Sequence, residues 1–166
     1  MRERRASQGA RRAREFEAFV TGAAGRLLHA ATLLTAEPPE ANPRARRLLT
    51  LALAHTYASW DRLRGEDPYD RARQHLAVRF ARGAWYQYGG FGRTRPAPGG
   101  ALARLTPQER LILVLRLYEG VAEEQAAALL GLPTDRVRAV CARATATLLH
   151  PPRGPAPVVV VEVAPS

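Results

Sequence analysis

Apolar residues recur at three- and four-residue steps along most of the chain. Phe16, Phe19, Val20, Leu27, Leu28, Ala31 and Leu34 form the first such stripe, the repeat of one face of a helix. "AEPPEANPR" interrupts it with three prolines, which remove amide donors and disfavour helix before them, so a loop is expected there. A second helical pattern covers about 44 to 63, with Leu49, Leu53, Tyr57 and Trp60 on or near one stripe. Asp67 before Pro68 reads as an N-cap with proline at the first helical position, and Tyr69, Ala72, Leu76, Phe80 and Ala84 line one face of the third helix.

"YGGFGRTRPAPGG", residues 88 to 100, is Gly- and Pro-rich without apolar periodicity, as a linker reads. Beyond it, Thr106, Pro107 and Glu109 form a capping box opening "RLILVLRLY", apolar almost all round and therefore buried. Gly120 suits the left-handed residue that ends that helix. Glu123 to Leu130 predicts a short helix closed by Gly131, and Thr134 is expected to cap a last helix running to about Leu149. The expected fold is all-α, two small helical domains joined by a Gly/Pro-rich linker: a flexible Arg-rich N-terminus at 1–14, a three-helix bundle at 15–88, the linker at 89–101, a helical domain at 102–149 and a Pro/Val-rich tail at 150–166, whose "VVVVEV" patch has no evident partner strand.

Charge adds a partner class. Every one of the 25 basic residues is Arg, and 15 acidic residues leave a formal +10, which favours a polyanion, nucleic acid first. The lone Cys141 excludes an intrachain disulfide and falls on the apolar stripe of the last helix, where a structural thiol is the default. No apolar run approaches the roughly 20 residues of a membrane span, and the Arg-rich start does not read as a secretory signal. A cytoplasmic protein is expected, without a membrane partner.

Catalytic chemistry finds no footing. His29, His55, His75 and His150 are far apart in sequence, without Cys or carboxylate at metal-ligand spacing. The glycines of "GGFGRTRP" follow no strand and lack the Lys-Ser/Thr that grips a nucleotide. No enzyme, cofactor or metal is expected.

"GLPTDRVRAVCARA", residues 131 to 144, is more informative. Two helices joined by a short Gly-containing turn match a helix-turn-helix outline, which plain αα hairpins share. A helical wheel buries Val137, Val140, Cys141, Ala144 and Leu148. Arg138, Ala139, Ala142, Arg143 and Ala146 then face outward, with Asp135 and Arg136 toward the edges. Such a face can hold phosphates through Arg136, Arg138 and Arg143 and touch a thymine methyl through Ala139 and Ala142, with few bidentate base readers. Residues 102 to 149 carry six Arg against five carboxylates, so most of the positive excess lies elsewhere.

"LTPQERLILVLRLYEGVAEEQAAALLGLPTDRVRAVCARATATLL" resembles the C-terminal, minus-35-reading domain of bacterial RNA polymerase sigma factors of the extracytoplasmic-function group. "FEAFV", "RLLHAATLLT" and "LALAHTYASWDRL" resemble the first helices of the other sigma domain, which binds the polymerase clamp and melts the minus-10 element. The resemblance spans about residues 15 to 149. It implies an all-helical protein without cofactor, whose partners are promoter DNA, core RNA polymerase and an anti-sigma or other regulatory protein. It also implies that Arg79, Arg82, Trp85 and Tyr86 engage unpaired bases by stacking and charge.

The departures sit in the reading helix, where Val140, Thr145 and Thr147 stand at positions often basic in the family, and in the polymerase-binding stretch. Where the family carries a segment like "EDLVQ", this chain has Arg46, Arg47, Leu48, Leu49 and Thr50. Reversed charge on a docking surface costs several kcal/mol. A polymerase- or partner-binding face of Arg46, Arg47, Thr50 and Leu53 is therefore expected to differ from the family's. Two functions follow: a sigma-like initiation factor, or a sigma-like regulator that no longer docks productively on polymerase and acts by binding DNA or another protein.

Overall fold

A computed structural model describes the backbone of residues 2–63, 65–88 and 99–150, and side chains over 7–63, 65–84 and 99–150. Among the described residues all regular structure is helical: α1 (Arg2–Thr35), α2 (Pro43–Ala58), a 3-10 turn (Trp60–Arg62), α3 (Pro68–Tyr88), α4 (Pro107–Leu113) continued by a π-helical turn (Val114–Tyr118), α5 (Glu123–Leu130) and α6 (Thr134–Leu149). α1, α2 and α3 pack side by side, while α4 and α5 pack on α6. The linker segment 89–98 and the tail from 151 lie outside the described residues.

The first helix corrects the expectation of a flexible tail at 1–14. Arg12 is held from the far end of α2: Nη1 donates to Asp61 Oδ2 at 3.0 Å, Nη2 donates to the Tyr57 carbonyl, and the guanidinium lies 4.3 Å from the Tyr57 ring centroid. One turn on, Phe16 meets Tyr57 and Trp60 with centroids 4.8 and 5.1 Å apart. An Arg stem and its cation thus pack on aromatic surface, and the helix extends through the charge run. α2 also ends earlier than the expected Leu63, at Ala58, before the 3-10 turn.

The proline-rich loop is ordered by one carboxylate. Glu37 Oε1 accepts from the Arg44 amide at 3.1 Å, and Oε2 accepts from the Ala45 amide at 2.8 Å and the Thr35 hydroxyl at 3.0 Å. Free amides of the first turn of α2 are therefore satisfied from upstream in the chain, with Pro43 at the helix start. At the start of α3 the expected cap is present: Asp67 Oδ1 accepts from the Tyr69 amide at 2.8 Å.

The second half follows its local signals with one exception. Thr106 and Glu109 form the reciprocal capping box, and Leu111 to Leu115 are all buried. The helix then widens, the Glu119 amide reaching back to Val114 O at 2.9 Å, which turns Leu117 out to 60% exposure. Gly120 at φ +68 and the Val121 amide on Leu115 O close it. Gly131, φ +64, ends α5. The exception is Thr134, which is the first helical residue and makes no capping bond. Pro133 holds the cap position in extended backbone, its carbonyl accepting from Arg136 and Val137.

The two halves share one core. Leu34, Leu76 and Phe80 from the first belong to the same buried cluster as Leu105, Leu111, Ile112 and Val137 from the second, each contributing about 1.5–3 kcal/mol of burial. Arg110 is buried across the junction, with Nε donating to Leu34 O at 2.8 Å and Nη1 to Leu105 O at 2.7 Å. Gly100 lies so close to the end of α1 that a Cβ there would stand 2.2 Å from Ala36 O.

Candidate nucleic-acid interface

The corner at 131–133 sets α6 with one side on the core and the other free. Val137, Val140 and Ala144 are buried, and Cys141 and Leu148 are half-buried against the core. Arg136, Arg138, Ala139, Ala142, Arg143 and Ala146 are all exposed, the division that the wheel predicts. Burial pushes the Cys141 thiol above its ordinary range, so it stays a neutral packing group.

Two of the three outward arginines are tied to acids of the preceding helices. Arg138 Nη2 stands 2.6 Å from Glu123 Oε1 at the start of α5, and its Nη1 3.3 Å from Asp135 Oδ1. Arg143 Nε donates to Glu109 Oε1 at 3.0 Å. Burial would raise the Glu109 carboxyl, but the Thr106 amide, Arg143 and the Thr106 hydroxyl outweigh it and hold it below the ordinary carboxylate range. Arg136 has no acidic partner among the described residues. These acids, which sequence reasoning did not connect to α6, orient the guanidinium groups and lower the field they present.

The other expected contacts fall on the first half, away from α6. Arg79 and Arg82 are exposed on α3 and line one groove, whereas the Trp85 and Tyr86 side chains lie outside the described residues. Arg46, Arg47 and Thr50 are exposed on α2. Arg46 Nε donates to Asn42 Oδ1 at 3.0 Å, and Leu53 is half-buried, packed on Ala23, Leu27 and Ala72, so it serves the core as well as any docking face. The histidines need a correction. Although twenty positions separate them in sequence, His55 and His75 stack with ring centroids 3.7 Å apart. Among the described residues no three His, Cys, Asp or Glu side chains group for a metal.

A polar link between the halves went unforeseen. Glu119, its side chain 1% exposed, accepts from the Tyr69 hydroxyl through both carboxylate oxygens at 3.0 Å and lies 3.5 Å from Arg26 Nη2. The signal in the sequence was an acid beside a helix-ending glycine; its partners, 50 and 93 positions away, carry none. Among the described residues no helix is long and apolar enough to cross a membrane.

Comparison with known proteins agrees with this geometry. Residues 101–148, which hold α4 to α6, match the family model described as sigma-70, region 4. The chain is also similar to the sigma factor RpoE from Bartonella quintana, solved in complex with the anti-sigma factor NepR, with 21% identity, a TM-score of 0.59, and 84% of this chain and 99% of that chain covered. No curated protein sequence matches. Among its described residues the chain is all-helical, and it shares its fold with that sigma-factor structure. The chain's second half is of the region 4 kind, as the sequence resemblance implies.

Proposed function

We propose that the protein is a sigma-factor-like transcription regulator that binds promoter duplex DNA through α5, the Gly131–Pro133 corner and α6. The observation that carries this reading is the open face of α6, with Arg136, Arg138, Ala139, Ala142 and Arg143 exposed while Val137, Val140 and Ala144 anchor the helix behind them. The arginines hold phosphates and set register, and the alanines leave room for bases with a modest sequence preference. Arg79 and Arg82, with Trp85 and Tyr86, take the opened strand. The protein acts by binding rather than by catalysis, and its partners are promoter DNA, core RNA polymerase and an anti-sigma protein.

A second reading rests on Arg46 and Arg47, exposed on α2 where the family's docking stretch is acidic. In it, the protein keeps the sigma scaffold and regulates by binding DNA or another protein without productive docking on polymerase. One experiment decides between them. Purified protein is incubated with core polymerase for co-precipitation, and run-off transcription is then read on genomic fragments that the protein retains. Co-precipitation with a defined start site establishes initiation. Retained fragments with neither establish the second reading in its DNA-binding form, and failure to retain any duplex removes the first reading and leaves the second only as protein binding.

A further inference from the structure

A groove of about 290 Å³ runs between α2 and α3, and its polar lining is His55 from α2 with Arg71, Gln74, His75, Arg79 and Arg82 from α3. We propose that this groove binds phosphate oxyanions and that His75, stacked on His55, takes up a proton as it does so.

Three observations converge. First, no carboxylate lines the groove. Arg71 is bonded to Glu66 outside it, while Arg79 and Arg82 have no acidic partner among the described residues. Exposed guanidinium groups one helical turn apart on one face offer forked donors to an anion without the cost of breaking an ion pair.

Second, His55 and His75 face each other at 3.7 Å with ring planes 32° apart, and Nε2 of His75 is buried without a hydrogen-bond partner. Two imidazolium rings at that distance repel. Burial, His55 and Arg71 hold the His75 pKa below its ordinary value, so the empty groove keeps this ring neutral near neutral pH. The charged groups around the pair are Arg71, Arg79 and Arg82 on α3, and α2 adds the apolar Leu51 and Ala52 beside His55. The charged and titratable groups are all cationic or become so. Proton uptake is therefore opposed until an anion arrives, and binding and protonation favour each other.

Third, the ligand chemistry matches. A phosphate carries about two negative charges and three acceptor oxygens, with its second pKa near 6, in the range where imidazole titrates. A peptide carboxylate has only two oxygens and titrates far lower. The phosphate can come from a compact phosphate compound or from a single strand, and the test separates these sources. Arg79 and Arg82 are shared with the opened-strand reading, but a failure of duplex binding at α6 leaves this inference untouched.

The test is proton NMR of the four histidine rings in the full chain, titrated with inorganic pyrophosphate and, separately, with a short single-stranded oligothymidylate. At about pH 6.5 the His75 ring signals are expected to move saturably toward the imidazolium position and those of the stacked His55 ring to be perturbed with them, those of His29 and His150 staying in place. Affinity is expected to fall several-fold between about pH 6 and about pH 8, and His55→Gln/His75→Gln to flatten that dependence. Arg79→Ala/Arg82→Ala, on exposed positions, should abolish the response. Movement with pyrophosphate assigns a compact phosphate. Movement with the oligonucleotide alone assigns the strand. Absence of movement with both probes, equal movement of all four histidines, a response undiminished in the Arg variant, or a response only to an oligoglutamate control would each overturn the proposal.

Discussion

The Tyr69 hydroxyl donates to both carboxylate oxygens of Glu119 at 3.0 Å, joining the first turn of α3 to the end of the π-helical turn across the junction of the two halves. Removing that hydroxyl leaves a buried carboxylate with Arg26 as its remaining partner among the described residues. Tyr69→Phe is expected to destabilise the chain by about 1–3 kcal/mol, read as a lower urea midpoint at unchanged slope. Burial, then the bond to Glu119 and its charge, raise the Tyr69 pKa above its ordinary 10.0. The contribution is complete below that value and is lost as pH rises toward the folded pKa, because the unfolded chain ionises first. Tyr69→Phe should therefore flatten the stability loss above about pH 10.

On the α6 face, Arg138→Ala/Arg143→Ala is expected to weaken duplex binding, with the slope of log K against log salt shallower by about 2, since two phosphate contacts are lost. Fluorescence anisotropy over a salt series reads both quantities. Unchanged affinity and slope would place the duplex elsewhere.

Glu123 gives the opposite sign. Its carboxylate sits 2.6 Å from Arg138, so it competes with a DNA phosphate for that guanidinium. Glu123→Gln is expected to tighten duplex binding by about 1 kcal/mol at low salt, an advantage that fades as salt rises. It should also cost roughly 0.3–1 kcal/mol of stability, because an acid leaves the first turn of α5. A loss of affinity in the same anisotropy assay would mean that the ion pair positions Arg138 for DNA rather than withholding it.

Glu109 governs the acid limb. Its carboxyl is held below the ordinary carboxylate range by the Thr106 amide, Arg143 and the Thr106 hydroxyl, which together overcome burial. The stabilisation is present above the unfolded pKa and is lost as pH falls through the folded one. Thermal melts of Glu109→Gln between about pH 7 and about pH 3 should show a lower midpoint at neutral pH and a gentler decline below about pH 4.5 than the parent chain.

Two glycines separate backbone strain from crowding. Gly131 is left-handed at φ +64 with open space around its missing Cβ, so Gly131→Ala should cost only about 1 kcal/mol of left-handed strain. At Gly100 a Cβ would stand 2.2 Å from Ala36 O. Gly100→Ala must therefore part the linker's return from the end of α1, and calorimetry should show the larger loss there.

What could be read in advance was what neighbouring residues decide among themselves. The Thr106–Glu109 box, the left-handed Gly120 and Gly131, and the inner and outer faces of α6 all follow from spacings within a turn or two. Arg12 was misjudged because its partners, Tyr57 and Asp61, lie 45 and 49 positions on, and a charge count cannot see an aromatic surface brought up by folding. The same reason hid the His55–His75 stack and the carboxylates of Glu109 and Glu123 beside the α6 arginines. Thr134 failed differently. Pro133, with its fixed φ, already supplied the entry geometry, so a polar cap was not needed.

The widened turn at 114–118 works as a phase setting. One residue more than a regular coil would hold is wound into it, so everything after Tyr118 is rotated by about 100° from where an uninterrupted helix would aim it. Glu119 reaches Tyr69 and Arg26 only at that rotation. Deleting a single position from the turn would swing the acid away from both, and the two halves would keep Arg110 on the Leu34 carbonyl but lose their carboxylate link, while each kept its own helices.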